Sequence, residues 1–121
     1  MGVTAIQNVT NARGRELLFI NTENSGNNRT IAVSSTREVG NAWIPWCSDK
    51  NSFLAHHIQI VDADSEQILW YIWQRQAADG DLVRVSRTGF EHPGAAALGV
   101  PETGGSRNLW IDGNGLRIDT A

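Results

Sequence analysis

Gln67-Ile68-Leu69-Trp70-Tyr71-Ile72-Trp73-Gln74 is the stretch on which the reading of this chain turns. Extended, it places Ile68, Trp70 and Ile72 on one face and Leu69, Tyr71 and Trp73 on the other, because a strand alternates its side chains. Both faces are then apolar. That describes a central strand, either covered on both sides or facing a ligand groove on one. Its richness in Trp, Tyr and Ile, with turn signals on each side, argues for a strand over a helix.

The neighbouring segments fit this reading. His57-Ile58-Gln59-Ile60-Val61 has β character, and Asp62-Ala63-Asp64-Ser65-Glu66 is a turn. On the other side Ala77-Ala78-Asp79-Gly80-Asp81 carries an Asp-Gly turn signature. Leu82-Val83-Arg84-Val85-Ser86-Arg87 then alternates, with Val83 and Val85 expected inward and Arg84 and Ser86 outward. Residues 56–87 therefore read as a three-stranded antiparallel meander.

Further out, Glu16–Ile20 and Arg29–Ser34 flank an Asn-rich stretch, Asn21–Asn28, and read as a hairpin with an irregular tip. Residues 35–55 are irregular. Pro45 removes a backbone donor and restricts Ile44 to extended conformations, so this region reads as a long loop or an edge strand. Residues 88–106 are rich in Gly, Ala and Pro and read as a long loop, with at most one helical turn at Ala95–Leu98. Asn108–Ile111, the turn Asp112–Gly115 and Leu116–Asp119 form a closing hairpin.

The expected fold is all-β, an antiparallel β-sandwich of about eight to ten short strands in one domain over residues 1–121. A small closed barrel or a β-trefoil is the alternative. Residues 78–85 and 111–118 echo each other across an Asp-Gly turn. No third copy stands in the first third, so a trefoil ranks second.

Bulk properties narrow the function. A chain of 121 residues with 40% apolar content can bury a core without disulfides, and Cys47 stands alone. Charged residues make up 19%, and polarity comes instead from Asn, Gln, Ser, Thr and 12 Gly. Net charge is −3 and the densest basic cluster, Arg13/Arg15, is followed by Glu16. Phosphate-backbone binding needs clustered Lys and Arg, so nucleic acid is not an expected partner. No run approaches the ~18 apolar residues of a membrane span. Met1-Gly2-Val3-Thr4 lacks a basic and an apolar region, so the expected location is cytoplasmic, or exported without a classical signal peptide.

Few groups suggest catalysis. Asp62, Asp64 and Glu66 alternate as calcium ligands do, but Gln67 stands where an EF-hand needs Gly. Calcium ranks below the ordinary role of Asp in turns, and no cofactor is expected. His56 and His57 are adjacent and would diverge on a strand, with His56 at a strand edge. One of them together with His92 and a carboxylate, such as Glu91 beside it, would be needed for a zinc or catalytic site. Cys47 has no local base and reads as a small buried apolar residue. There is no nucleophile elbow, P-loop or dinucleotide fingerprint.

The five tryptophans remain, and four of them fall in the pairs Trp43/Trp46 and Trp70/Trp73. An indole stacks a flat face on a ligand and donates one N–H. Sugars offer apolar C–H faces ringed by hydroxyls, so an indole beside Asp, Asn, Gln or Arg suits them. Trp43, Trp46, Asp49 and Asn51 supply that set in one loop, and Trp73, Gln74 and Arg75 supply it at a strand end. Trp70 and Trp110, flanked by apolar β residues, read as core. The first expectation is a non-enzymatic, lectin-like protein that binds a glycan or glycoprotein, with Trp43, Trp46, Asp49, Asn51, Trp73 and Arg75 as candidates. A protein-interaction or self-assembly module ranks second, and small lectins often oligomerise, so a homo-oligomer is compatible with both. A small-ligand barrel or enzyme using His56, His57, Glu91 or His92 ranks third.

Overall fold

Two stacked open sheets make up the computed structural model, which describes residues 3–90 and 94–121. The first sheet holds β1 (Thr4–Asn11), β4 (Ser35–Trp43), β9 (Leu98–Gly99), β10 (Gly105–Ile111) and β11 (Leu116–Thr120), in the order β4-β1-β10-β11-β9. The second holds β2 (Leu17–Asn21), β3 (Arg29–Ile31), β5 (Ile58–Asp62), β6 (Ile68–Ala77), β7 (Gly80–Ser86) and β8 (Ala95–Ala96), in the order β3-β2-β5-β6-β7-β8. The fold is an all-β sandwich, and neither sheet closes, which removes the barrel and the trefoil. Pairing is antiparallel except where β1 runs parallel to β10 and β9 to β11.

The meander is present as β5, β6 and β7, and the hairpins as β2–β3 and β10–β11. The sequence reading assigned no strand to residues 4–11. The cause is a register shift between Ile6 and Asn8, which places the buried residues Ile6 and Val9 three apart rather than two. Residues 35–43 are an edge strand, whereas residues 50–55, read as loop or edge, form the helix α1 (Lys50–Ala55).

The inner faces meet in one core. Ile6 and Val9 of β1, Leu109 and Ile111 of β10 and Ile118 of β11 pack with Phe19, Ile58, Ile60, Ile72 and Val83 of the second sheet. Removing this apolar surface from water is the main stabilising term. Gln74 pins the sheets at one end: Thr4 Oγ1 donates to its Oε1 (2.7 Å), and its Nε2 donates to the Ile44 carbonyl (2.5 Å).

β6 is apolar on both faces for a structural reason. Its outer face carries Trp73, which is fully buried with Cys47 and Phe53 and flanked by Tyr71 and Phe90. Phe53 reaches it from α1, ring to ring at 5.2 Å in an edge-on arrangement. Arg84, expected to point outward to solvent, lies opposite Trp73 and is fully buried. Its guanidinium donates to both carboxylate oxygens of Asp79 (2.9 and 2.8 Å) and to the Gly80 carbonyl (3.0 Å). Gly94 lies over this pair with φ +91°, and a Cβ there would stand 2.6 Å from the Trp73 ring. Only glycine accepts both the conformation and the approach. Ser86, also expected outside, is buried.

Candidate functional site

Trp43 ends β4 at the point where the chain leaves one sheet for the other. Ile44 still donates its N–H to the Thr4 carbonyl of β1 (2.9 Å). Gln74 of β6 then donates to the Pro45 carbonyl (2.7 Å), and Cys47 donates to the Gln74 carbonyl (2.9 Å). β5 starts opposite Ile72, which leaves the β6 edge at Gln74 open for this crossing segment. Proline suits the crossover because it has no N–H to satisfy there.

A bulge aims the Trp43 ring. Between Glu38 and Ala42 the chain of β4 advances four positions while β1 advances two, Asn8 to Ile6. Gly40 and Asn41 take up the excess in left-handed conformations, φ +74° and +52°. The Glu38 carboxylate accepts the Gly40 N–H, and Asn27 Nδ2 donates to the carbonyls of Val39 (2.9 Å) and Gly40 (3.1 Å). A Cβ on Gly40 would press on Asn27 Nδ2 at 3.2 Å. With Ala42 and Ile44 in the core on either side, Trp43 is turned out and is 63% exposed.

Two hollows meet at this ring. One, about 370 Å³, is lined by Asn21, Glu23, Asn24, Asn27, Asn41 and Trp43. The other, about 230 Å³, runs between Trp43 and the half-buried Trp46, with Glu23, His56 and Val3 on its walls. The amides of Asn21 and Asn27 are engaged with each other and with the bulge. Glu23, Asn24 and Asn41 are exposed on the walls of the first hollow, the Asn24 side-chain oxygen accepting the Gly26 N–H (3.1 Å). Trp43 and Trp46 are therefore brought together, as their spacing suggested. The polar partners around them differ from the expected ones.

Asp49 and Asn51 line neither hollow. Asp49 caps α1: its carboxylate accepts the Ser52 N–H (2.8 Å), while the Ser52 hydroxyl meets the Asp49 N–H (3.2 Å). That cap, chiefly its Ser52 N–H bond, holds the Asp49 carboxyl below the usual range. Asn51 is exposed on the first turn of α1. Trp73, another candidate, is fully buried and cannot meet a ligand. Arg75 lies over the Phe90 ring at 5.3 Å and lines a separate hollow of about 370 Å³ with Trp46, Cys47, Ser48 and Gln76.

Trp110, read as core, is 42% exposed on the outer face of the first sheet. Trp70 is half-buried against the core, and the Arg87 guanidinium lies 4.3 Å over its ring.

Among the described residues, the titratable candidates do not converge. His57 is buried, stacked on Phe53 at 4.6 Å, and its Nδ1–H donates to the Phe53 carbonyl (2.6 Å). Its Nε2 then accepts from Gln59 (2.9 Å), and burial lowers its pKa from 6.5. His56 is exposed and ends α1, not a strand edge. Glu91 and His92 lie outside the described residues. The Cys47 thiol is pushed up to about 12, chiefly by burial, and donates to the His56 carbonyl (2.9 Å). Asp62 accepts the N–H groups of Asp64 and Ser65 and pairs with Arg13 and Arg15, so its turn is organised by protein groups. Among the described residues no cluster of His, Cys, Asp and Glu has the makings of a metal site, and no helix is long and apolar enough to cross a membrane.

No family model, curated protein or solved structure matches this chain.

Proposed function

We propose that this protein binds carbohydrate without chemically changing it, stacking a sugar ring on Trp43. The observation that carries this reading is an indole 63% exposed at the meeting of two hollows, one walled by amides and the Glu23 carboxylate, the other by Trp46, Pro45, Val3, His56 and again Glu23. Leaving a large aromatic face in water is unfavourable unless something covers it, and the apolar side of a sugar ring is of suitable shape. Glu23, Asn24 and Asn41 accept from and donate to its hydroxyls, and Trp46 closes the second hollow. Glu23 lines both hollows, and among the described residues neither wall carries a Lys or Arg, which favours neutral over acidic sugars.

The test is a titration of intrinsic tryptophan fluorescence with neutral mono- and oligosaccharides, run alongside a glycan array. Wild type should respond to at least one neutral glycan. Trp43→Ala should weaken that binding on the order of tenfold or more, with the melting temperature nearly unchanged. A wild-type protein silent across the array defeats the proposal.

A further inference from the structure

We propose that the outer face of the first sheet is a binding track for one extended neutral polysaccharide chain, running from Trp43 to a second stacking platform at Trp110. This rests on the carbohydrate reading of Trp43 and extends it. The register places both rings on one face. Trp43 lies beside Ala5 and Ser106 in one cross-strand row, and its neighbours Ala42 and Ile44 are in the core. Thr36, Thr10, Trp110, Arg117 and Leu98 form another row, across all five strands. Leu109 and Ile111 on either side of Trp110 are buried, so its ring is on the solvent side too.

Trp110 is half of a built site. It lies in a hollow of about 230 Å³ with Leu98, Asp112, Asn114 and Arg117. Its Nε1–H reaches the Asp112 carboxylate at 3.4 Å, which leaves the ring face to a ligand. Leu98, 68% exposed, extends the apolar floor. The two platforms are five residues apart along β1 and two strand spacings apart across it. Because β1 bulges, the same span is four residues along β10, which gives roughly 16 Å at about 3.3 Å per residue and about 4.8 Å per strand. A single sugar ring cannot touch both, whereas an oligosaccharide of several units can.

The ground between them is neither apolar nor cationic. Gln7 donates to the Ser106 hydroxyl (2.9 Å), Asn8 to Asn108 (3.3 Å), and the hydroxyls of Thr10 and Thr36 share a hydrogen bond (2.7 Å). These amides and hydroxyls are side-by-side donors and acceptors suited to a hydroxyl-rich chain. Arg117 on this face is bound by the Asp119 carboxylate (2.9 Å), so it offers little to an anionic polymer. No element covers the described residues of this face, whereas α1 covers part of the other sheet's outer face.

The experiment compares wild type, Trp43→Ala and Trp110→Ala by isothermal titration. The probes are soluble neutral polysaccharides (a β-glucan, an α-glucan, a mannan and a xylan) and the di- and hexasaccharides of whichever binds. The expected result is that Trp110→Ala weakens hexasaccharide binding on the order of tenfold and leaves disaccharide binding unchanged, while Trp43→Ala weakens both. Equal hexasaccharide affinity in Trp110→Ala and wild type overturns the track and leaves the Trp43 reading standing. Loss of response in wild type overturns both. Sedimentation of wild type and Trp110→Ala tests the rival occupant: a dimer that dissociates only on Trp110→Ala shows that a second copy covers this face, and overturns the track.

Discussion

Trp43-Ile44-Pro45-Trp46 and Trp70-Tyr71-Ile72-Trp73 have similar composition and opposite fates. In the first, the indole at position 43 is open to water; in the second, the indole at position 73 is sealed. Both lie next to core residues on strands, and both point away from the sandwich interior. The difference is what lies over them. α1, Phe90 and Gly94 cover Trp73, whereas the Asn-rich loop and Trp46 stand beside Trp43 and leave its ring 63% exposed. A tryptophan's role here follows from the chain segment that crosses it, not from the hydrophobicity of its neighbours in sequence.

Breaking that contrast should produce its largest effect at the sealed ring. Trp73→Ala leaves a cavity against Phe53 and Phe90 and is expected to cost about 3–5 kcal/mol of unfolding free energy, measured by chemical denaturation. Trp43→Ala should stay within about 0.5 kcal/mol. Comparable losses for the two would mean that Trp43 is structural. A smaller effect is expected at the loop that positions the open ring. Asn27→Ala strips the donors from the Val39 and Gly40 carbonyls and should cost about 1–3 kcal/mol. It should also weaken glycan binding, because the bulge that turns Trp43 outward loses its clamp. Full binding in a folded Asn27→Ala protein would remove Asn27 from that role.

The smallest effect sharpens the sealed side. The folded-state pKa of His57 is lowered from 6.5 by burial, so below that pH the unfolded chain binds more protons than the folded one. Stability from this residue is full above about pH 6.5 and falls as the solution is acidified through the folded pKa. His57→Gln should flatten the stability-against-pH curve in that window while leaving the carboxylate-driven losses at lower pH. An unchanged curve would show that His57 does not control this window.

Much of the sandwich was legible in the chain. The meander around β6 and the two hairpins follow from alternation and turn residues, while residues 35–55, read from Pro45 as a long loop or an edge strand, hold the edge strand only over 35–43. β1 was hidden because its bulge gives Ile6 and Val9 a spacing that matches neither a strand nor a full helical face. α1 had a local signal in Asp49, an N-cap followed at the third position by Ser52, but six residues are too few for a helical pattern to show. The candidate site was half legible. The pairing of Trp43 with Trp46 was visible, but Asp49 and Asn51, its neighbours in sequence, are spent on α1. The polar residues that line the hollow beside Trp43, Glu23, Asn24 and Asn41, come from the β2–β3 connection and the bulge.

The sequence by itself determined the meander, the two hairpins and the apolarity of both faces of β6, because these depend on side chains two residues apart and on turn residues between them. Only the tertiary structure decided which indoles meet water. Exposure of Trp43, Trp73 and Trp110 depends on segments distant in the chain: Gly94 over Trp73, the Asn21–Asn27 connection beside Trp43, and, among the described residues, no layer over Trp110. Local pattern fixes the direction in which a side chain leaves its strand. Whether another part of the chain is waiting there is settled by packing alone.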